Sequence, residues 1–151
     1  MFVLLRHAHA IGKQSWHGPD AHRPLSALGQ EQAAGLVETL TGGVELRVLY
    51  CSPTTRCLDT LAPLAAAHGL VIHEHPLLTP DAAADDLFAA LDTVDLDGTL
   101  WCTHGETLTA LAACTRTDGT RAFPIGDTAK GGAWLLNAHN PPRYIDPDPP
   151  Q

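Results

Sequence analysis

Phe2-Val3-Leu4-Leu5-Arg6-His7-Ala8-His9-Ala10 is the stretch on which the fold turns. Four apolar residues are too few for a helix and read as a buried strand. Arg6 and His7 then lie at the carboxyl end of that strand, and in open α/β sheets that is the edge where ligands bind. An arginine beside a histidine there suits an anion held by one side chain and attacked or protonated by the other. These residues alone fit equally well a strand that ends on polar side chains, so the remaining sequence has to decide.

Working outward, residues 11–24 are polar, broken by Gly12, Gly18 and Pro19, and read as a loop. A helix is expected over 26–40, with Ala33, Leu36, Val37 and Leu40 on one face, stopped by Gly42-Gly43. Residues 47–51 read as a second strand. Ser52 suits a helix N-cap and Pro53 the first helical position. The helix that follows would turn Leu58, Leu61 and Ala62 inward, be kinked or divided by Pro63, and end at His68-Gly69. A short third strand over 70–74, a loop over 76–80 and an amphipathic helix over 82–91 come next. Asp97-Gly98 turns the chain into a strand over 99–102, and Thr103-His104-Gly105-Glu106 leads into a helix carrying Leu108, Leu111 and Ala112. After an irregular stretch, 133–136 read as the last core strand. Strands alternating with helices predict an α/β fold: one domain over 1–140, three-layered α/β/α, with a mainly parallel central sheet. Residues 141–151, rich in Pro and Asp, are expected to be a tail, mobile over 147–151.

Composition sets the outer bounds. The 151 residues suit one core, and 9 Lys+Arg against 17 Asp+Glu give a net charge of −8. That balance argues against a nucleic-acid polymer or an acidic membrane as partner. An anionic substrate would need a local basic pocket inside an acidic envelope. The opening residues lack the features of a signal peptide, and no apolar run reaches transmembrane length, so the cytoplasm is the default. Cys51, Cys57, Cys102 and Cys114 form no CxxC pair and read as free thiols.

Three strand-to-turn junctions carry matching polar residues: Arg6-His7, Ser52 with Arg56, and Thr103-His104-Gly105-Glu106. Parallel strands would place all three on one edge of the sheet. Arg56, in the first turn of its helix, leans back toward that edge. Two helix N-termini add N–H donors and a positive dipole end. Two arginines, two histidines and two helix N-termini suit a phosphoryl group, whose oxygens match guanidinium forks.

Arg6-His7-Ala8, Ser52-Pro53-x-x-Arg56-Cys57-x-x-Thr60 and Thr103-His104-Gly105-Glu106, in that order, resemble the motifs of the histidine phosphatase (phosphoglycerate mutase-like) superfamily. Arg23-Pro24-Leu25-Ser26-x-x-Gly29 and Pro76-Leu77-Leu78-Thr79-Pro80 resemble its small phosphohistidine phosphatase (SixA-type) branch. Lys130-Gly131-Gly132-Ala133-Trp134-Leu135-Leu136 is similar to phosphatase domains fused to Nudix hydrolases. The resemblance implies a phosphatase that needs no metal or cofactor. His7 would attack phosphorus and become a phosphohistidine, while Arg6, Arg56 and His104 hold the phosphoryl oxygens. Ser52, Gly105 and, as a secondary contact, Arg23 would complete the binding site. Nearby cations should keep His7 neutral, and a backbone carbonyl on its other ring nitrogen would fix the tautomer. The implied substrate is a phosphohistidine protein or a small phosphometabolite or nucleotide.

Two departures stand out. Ala8 replaces the family's glycine, and Leu77 stands where the pattern can carry a general acid. Glu74, Asp81 and Glu106 are the local candidates for that acid. Without one, good leaving groups are favoured. His9 could line the pocket and Lys130 could meet a polyphosphate, whereas His17, His22, His68, His73, His75 and His139 read as surface residues. Two rivals remain. One is a metal-dependent hydrolase built on His7-x-His9 or His73-x-His75, although its (β/α)₈ barrel needs roughly 250 residues. The other is a module of the phosphatase fold that binds a phosphoryl ligand without turning it over.

Overall fold

The computed structural model describes residues 1–147 of the 151. Ten elements follow in order: β1 (Phe2–Arg6), α1 (Ala27–Thr41), β2 (Val48–Cys51), α2 (Thr55–His68), β3 (Ile72–Glu74), α3 (Ala84–Asp92), β4 (Thr99–Thr103), α4 (Gly105–Ala113), β5 (Ala133–Leu136) and β6 (Arg143–Ile145). Short 3₁₀ turns cover Lys13–Ser15, Asp20–His22 and Pro76–Leu78. The strands form a six-stranded sheet in the order β3-β2-β4-β1-β5-β6. The four strands β1 to β4 run parallel, and β5 and β6 are antiparallel additions at one side. The parallel register pairs Arg6 with Thr103 and Cys51 with Cys102, so β1, β2 and β4 end level with one another.

Alternation along the strands divides the core into two layers. Val3, Leu5, Leu49, Cys51, Leu100 and Cys102 face α1 and α2, packing with Leu36, Leu40, Leu61 and Leu64. Leu4, Trp101 and Leu136 face α3 and α4, packing with Leu87, Leu91, Leu108 and Leu111. This is the expected α/β/α arrangement with a mostly parallel sheet. It is an open sheet, so the barrel required by the metal-hydrolase rival does not form. The cysteines are free thiols, three of them buried. Among the described residues no helix is long and apolar enough to cross a membrane.

Several local expectations are corrected. The N-cap of α2 is Thr54, not Ser52. Ser52 is fully buried and its hydroxyl meets His104 instead. The inward face of α2 is Cys57, Leu61, Leu64 and Ala65, while Ala62 points to solvent and Leu58 is half-buried. Pro63 does not divide α2. The carbonyl it leaves unpaired is that of Asp59, an exposed residue within reach of water. The third strand spans only 72–74. The chain past 140 is not all tail, because β6 pairs with β5 and Tyr144 packs its ring 4.8 Å from that of Trp134. Residues 148–151 of the expected mobile tail lie outside the described residues.

Candidate active site

Main-chain and hydroxyl contacts tie the exit of β1 on three sides. The His7 amide donates to Thr103 O at the end of β4 (3.0 Å). The Ala8 amide donates to Thr60 Oγ1 (2.9 Å), which in turn donates to Arg56 O (2.6 Å), joining the first motif to α2. On the third side Arg6 N donates to Gly132 O, and Gly131 N–H is shared by His7 O (2.9 Å) and Arg6 O (3.2 Å). Gly131 has φ +84°, a conformation that favours glycine. Ala8 is fully buried and has no positive φ, so replacing the family's glycine there creates no backbone strain. Gly29 is required for a different reason. A Cβ there would lie 1.9 Å from His9 O, where the first turn of α1 crosses the strand exit.

His7 Nδ1 lies 2.7 Å from Ala8 O. A carbonyl can only accept, so Nδ1 carries the proton and Nε2 carries the lone pair. Burial is the main reason that the His7 pKa falls to about 4. The Cys57 and Ala8 contacts oppose that fall, while His104 and Arg56 add to it. The cations expected to keep His7 neutral are therefore secondary to desolvation.

The His104 ring centroid is 5.2 Å from that of His7. Its Nε2 is 2.9 Å from Ser52 Oγ, and its Nδ1 is 3.4 Å from Arg56 Nη2. A guanidinium only donates, so Nδ1 is the acceptor and Nε2–H points to Ser52. Arg56 spends both Nη groups on Asp20: Nη1 on the carbonyl oxygen (2.9 Å) and Nη2 on Oδ2 (3.2 Å). Arg6 donates from Nη1 to Thr128 O (2.8 Å). Its guanidinium lies over the first residue of α4, where a Cβ on Gly105 would come within 2.7 Å of Arg6 Cζ. Nε of Arg6 and Nε of Arg56 are buried N–H donors with no partner among the described residues. Such donors are costly unless an acceptor arrives.

These side chains line a cavity of about 570 Å³. His7, Arg56 and His104 are its buried part, joined by Arg6 and by Arg23. His9, Lys13, Asp20 and Lys130 form further wall, and so do Asp81 and Glu106. Of the residues expected from the sequence, Ser52 sits behind His104 and Gly105 under Arg6, and neither lines the cavity. Glu74 is an exposed residue at the end of edge strand β3, away from the cavity lining, so of the three carboxylates expected from the sequence only Asp81 and Glu106 line the cavity. His9 bonds Ser26 Oγ through Nδ1 (2.6 Å). His73 and His75 pack near Tyr50.

Asp20, Lys13 and Thr128 went unnoticed as site residues in the sequence. Nothing local marks them, because Asp20 meets Arg56 across 36 positions and Thr128 meets Arg6 across 122. Burial disfavours the charged form of Asp20, but its bond to Arg23 and the charge of Arg56 outweigh this and hold its carboxyl below the usual range.

The chain is 33% identical over 142 residues to the 8-oxo-(d)GTP phosphatase of Mycolicibacterium smegmatis, an alignment covering 89% of this chain and 43% of that protein. The chain thus spans less than half the length of this relative. In fold it is similar to the protein histidine phosphatase SixA solved with tungstate (TM-score 0.68, 19% identity, 95% of this chain and 93% of that one). It is likewise similar to the mycobacterial glucosyl-3-phosphoglycerate phosphatase solved with VO3 (TM-score 0.66, 17% identity, 95% of each chain). Residues 2–79, the segment that holds Arg6, His7 and Arg56, match the model of the histidine phosphatase superfamily (branch 1), and the chain belongs to that superfamily.

Proposed function

We propose that this chain hydrolyses a phosphoryl group through a covalent phosphohistidine at His7. The observation that carries the reading is the state of that imidazole: neutral by burial, with its Nδ1 proton committed to Ala8 O and its Nε2 lone pair left for attack. Nε2 forms a bond to phosphorus as the bond to the leaving group breaks. Arg6 and Arg56 carry the charge on the remaining oxygens, while His104, its Nδ1 accepting from Arg56 Nη2 and its Nε2–H turned to Ser52, packs against that guanidinium. Asp81 or Glu106, both in the cavity wall, supplies the leaving group's proton. Water then attacks the phosphohistidine, releasing phosphate and restoring His7. No step is assigned to a metal.

For substrate, the likeness to an 8-oxo-(d)GTP phosphatase favours a nucleotide or other small phosphometabolite, and Lys13 and Lys130 in the wall fit its further anionic groups. A phosphohistidine protein is the second reading, favoured by the fold likeness to SixA. The test is phosphate release in EDTA from p-nitrophenyl phosphate, nucleoside di- and triphosphates, 3-phosphoglycerate and a phosphohistidine protein, with His7→Ala alongside. Turnover that disappears in the variant is the expected result, and the preferred substrate separates the two readings. A folded protein that binds phosphate and turns nothing over would be a binding module.

A further inference from the structure

Asp20 opens a 3₁₀ turn in the loop between β1 and α1 and is the acceptor for two arginines. Its Oδ2 takes Arg56 Nη2 (3.2 Å) and its Oδ1 takes Arg23 Nε (3.1 Å). Its carbonyl oxygen takes Arg56 Nη1 (2.9 Å). Arg23 is anchored in turn by Nη1 on Ile11 O (2.8 Å). One continuous series of contacts thus runs from the Ile11 carbonyl through Arg23, Asp20 and Arg56 to His104 Nδ1.

Stability is a poor explanation for this arrangement. The Asp20 side chain is 53% exposed, and ion pairs reaching solvent contribute little. What the carboxylate does supply is direction. A guanidinium is a rigid planar fork. With both Nη groups of Arg56 fixed by Asp20, the plane and the placement of Nε follow, and Nη2 is set against His104. We infer that Asp20 is a positioning residue, which fixes Arg56 relative to His104 and His7 for phosphoryl transfer without itself touching phosphorus or moving a proton. Two cationic partners hold Asp20 ionised, which suits an acceptor and disqualifies it as an acid. The inference rests on the reading of the cavity as a phosphoryl-transfer site. It competes with a simpler view, in which the carboxylate merely occupies the place a phosphoryl group takes.

The experiment compares wild type with Asp20→Asn, Asp20→Ala and Asp20→Glu, using p-nitrophenyl phosphate turnover and inhibition by orthovanadate and by phosphate. Circular dichroism and melting check that each variant is folded. Positioning predicts that Asp20→Asn lowers kcat about 10- to 100-fold, the scale of a misplaced catalytic group, with KM within about threefold. The inhibition constant for orthovanadate, which mimics the transition state, should rise by a comparable factor, and that for phosphate much less. Asp20→Glu, which keeps a carboxylate beside both arginines, should fall between wild type and Asp20→Asn. An unchanged kcat overturns the inference, whether or not the melting temperature falls. Tighter phosphate binding with undiminished kcat also overturns it, in favour of simple occupancy. Should wild type turn over neither p-nitrophenyl phosphate nor any other phosphoryl substrate of the EDTA panel, the functional reading is what has failed. Calorimetric binding of orthovanadate then decides the role of Asp20: weaker binding by Asp20→Asn upholds positioning, and equal or tighter binding rejects it.

Discussion

Strand β1 has a cavity at each end, and the two are built on opposite terms. At its amino end Phe2 joins Phe88, Phe123, Leu91 and Leu136 around a space of about 350 Å³. The phenyl rings meet edge to face, with centroids 6.2 Å and 6.1 Å apart. Asp92, Arg116, Asn137 and Arg121 also line this space, and two of the Arg121 nitrogens are spent on the carbonyls of Ala112 and Ile125. Four residues along the strand, Arg6 and His7 open the other cavity, with a neutral buried imidazole and two unpaired guanidinium N–H groups. Parallel strands explain the asymmetry. Every helix that follows such a strand begins at the carboxyl edge, so free N–H groups and dipole ends gather there. The amino end is free to be walled mainly by apolar side chains and rings. One end should therefore answer to mutation in stability and the other in activity.

The sharpest separation is expected from His7→Ala. Loss of the nucleophile should lower kcat/KM at least about 10³-fold. The melting temperature should stay within about 4 °C, since an imidazole held neutral against its ordinary pKa adds little to stability. Steady-state kinetics and thermal melting of the same preparation check both halves. Retention of a tenth of the activity would end the comparison.

Phe123→Ala tests the opposite end. Phe123 is 5% exposed and touches two other rings, so its truncation should cost about 3–5 kcal/mol. Urea unfolding measures that loss. kcat per folded molecule should be unchanged, and a parallel fall in kcat would show that the two ends are coupled through β1.

Gly131→Ala should blur the division. Its φ of +84° predicts a cost of about 1–2 kcal/mol for any side chain. A Cβ there would also press on Gln32 Oε1 at 3.2 Å. Because the Gly131 amide holds the carbonyls of both Arg6 and His7, activity should fall together with stability. Wild-type kcat in a destabilised Gly131→Ala would mean that the glycine serves the fold alone.

How much of this could be read beforehand follows the same division. The apolar layers were legible, because the short continuous apolar runs of β1 and β4 and the helical periodicity in α1 and α4 are local patterns. So were the three polar junctions, since each sits directly after a strand. What stayed hidden depends on distant partners. Ser52 has the look of a cap, yet His104, 52 positions away, claims its hydroxyl. Asp20 is one polar loop residue among several until Arg56 arrives beside it. β6 is three residues between prolines, and its pairing with β5 and the packing of Tyr144 on Trp134 make it a strand. The pKa of His7 is set by depth of burial, a property of the folded surroundings rather than of neighbours in the sequence.

The most direct effect on the state of the nucleophile is the titration of His7. Its pKa of about 4 lies below the ordinary 6.5, so the folded protein resists a proton that the unfolded chain accepts. The His7 contribution to stability is therefore intact above pH 6.5, declines as pH falls from there, and is fully lost below about 4. NMR titration of the imidazole signals, with His7→Ala to assign them, should place the midpoint near 4. Urea midpoints for wild type should fall more steeply between pH 7 and pH 4 than those of His7→Ala, with the surface histidines common to both. A midpoint near 6.5 would mean that the imidazole is as well solvated as an exposed one. The polar end of β1 would then lack the desolvated, neutral nucleophile that sets it apart from the mainly apolar end.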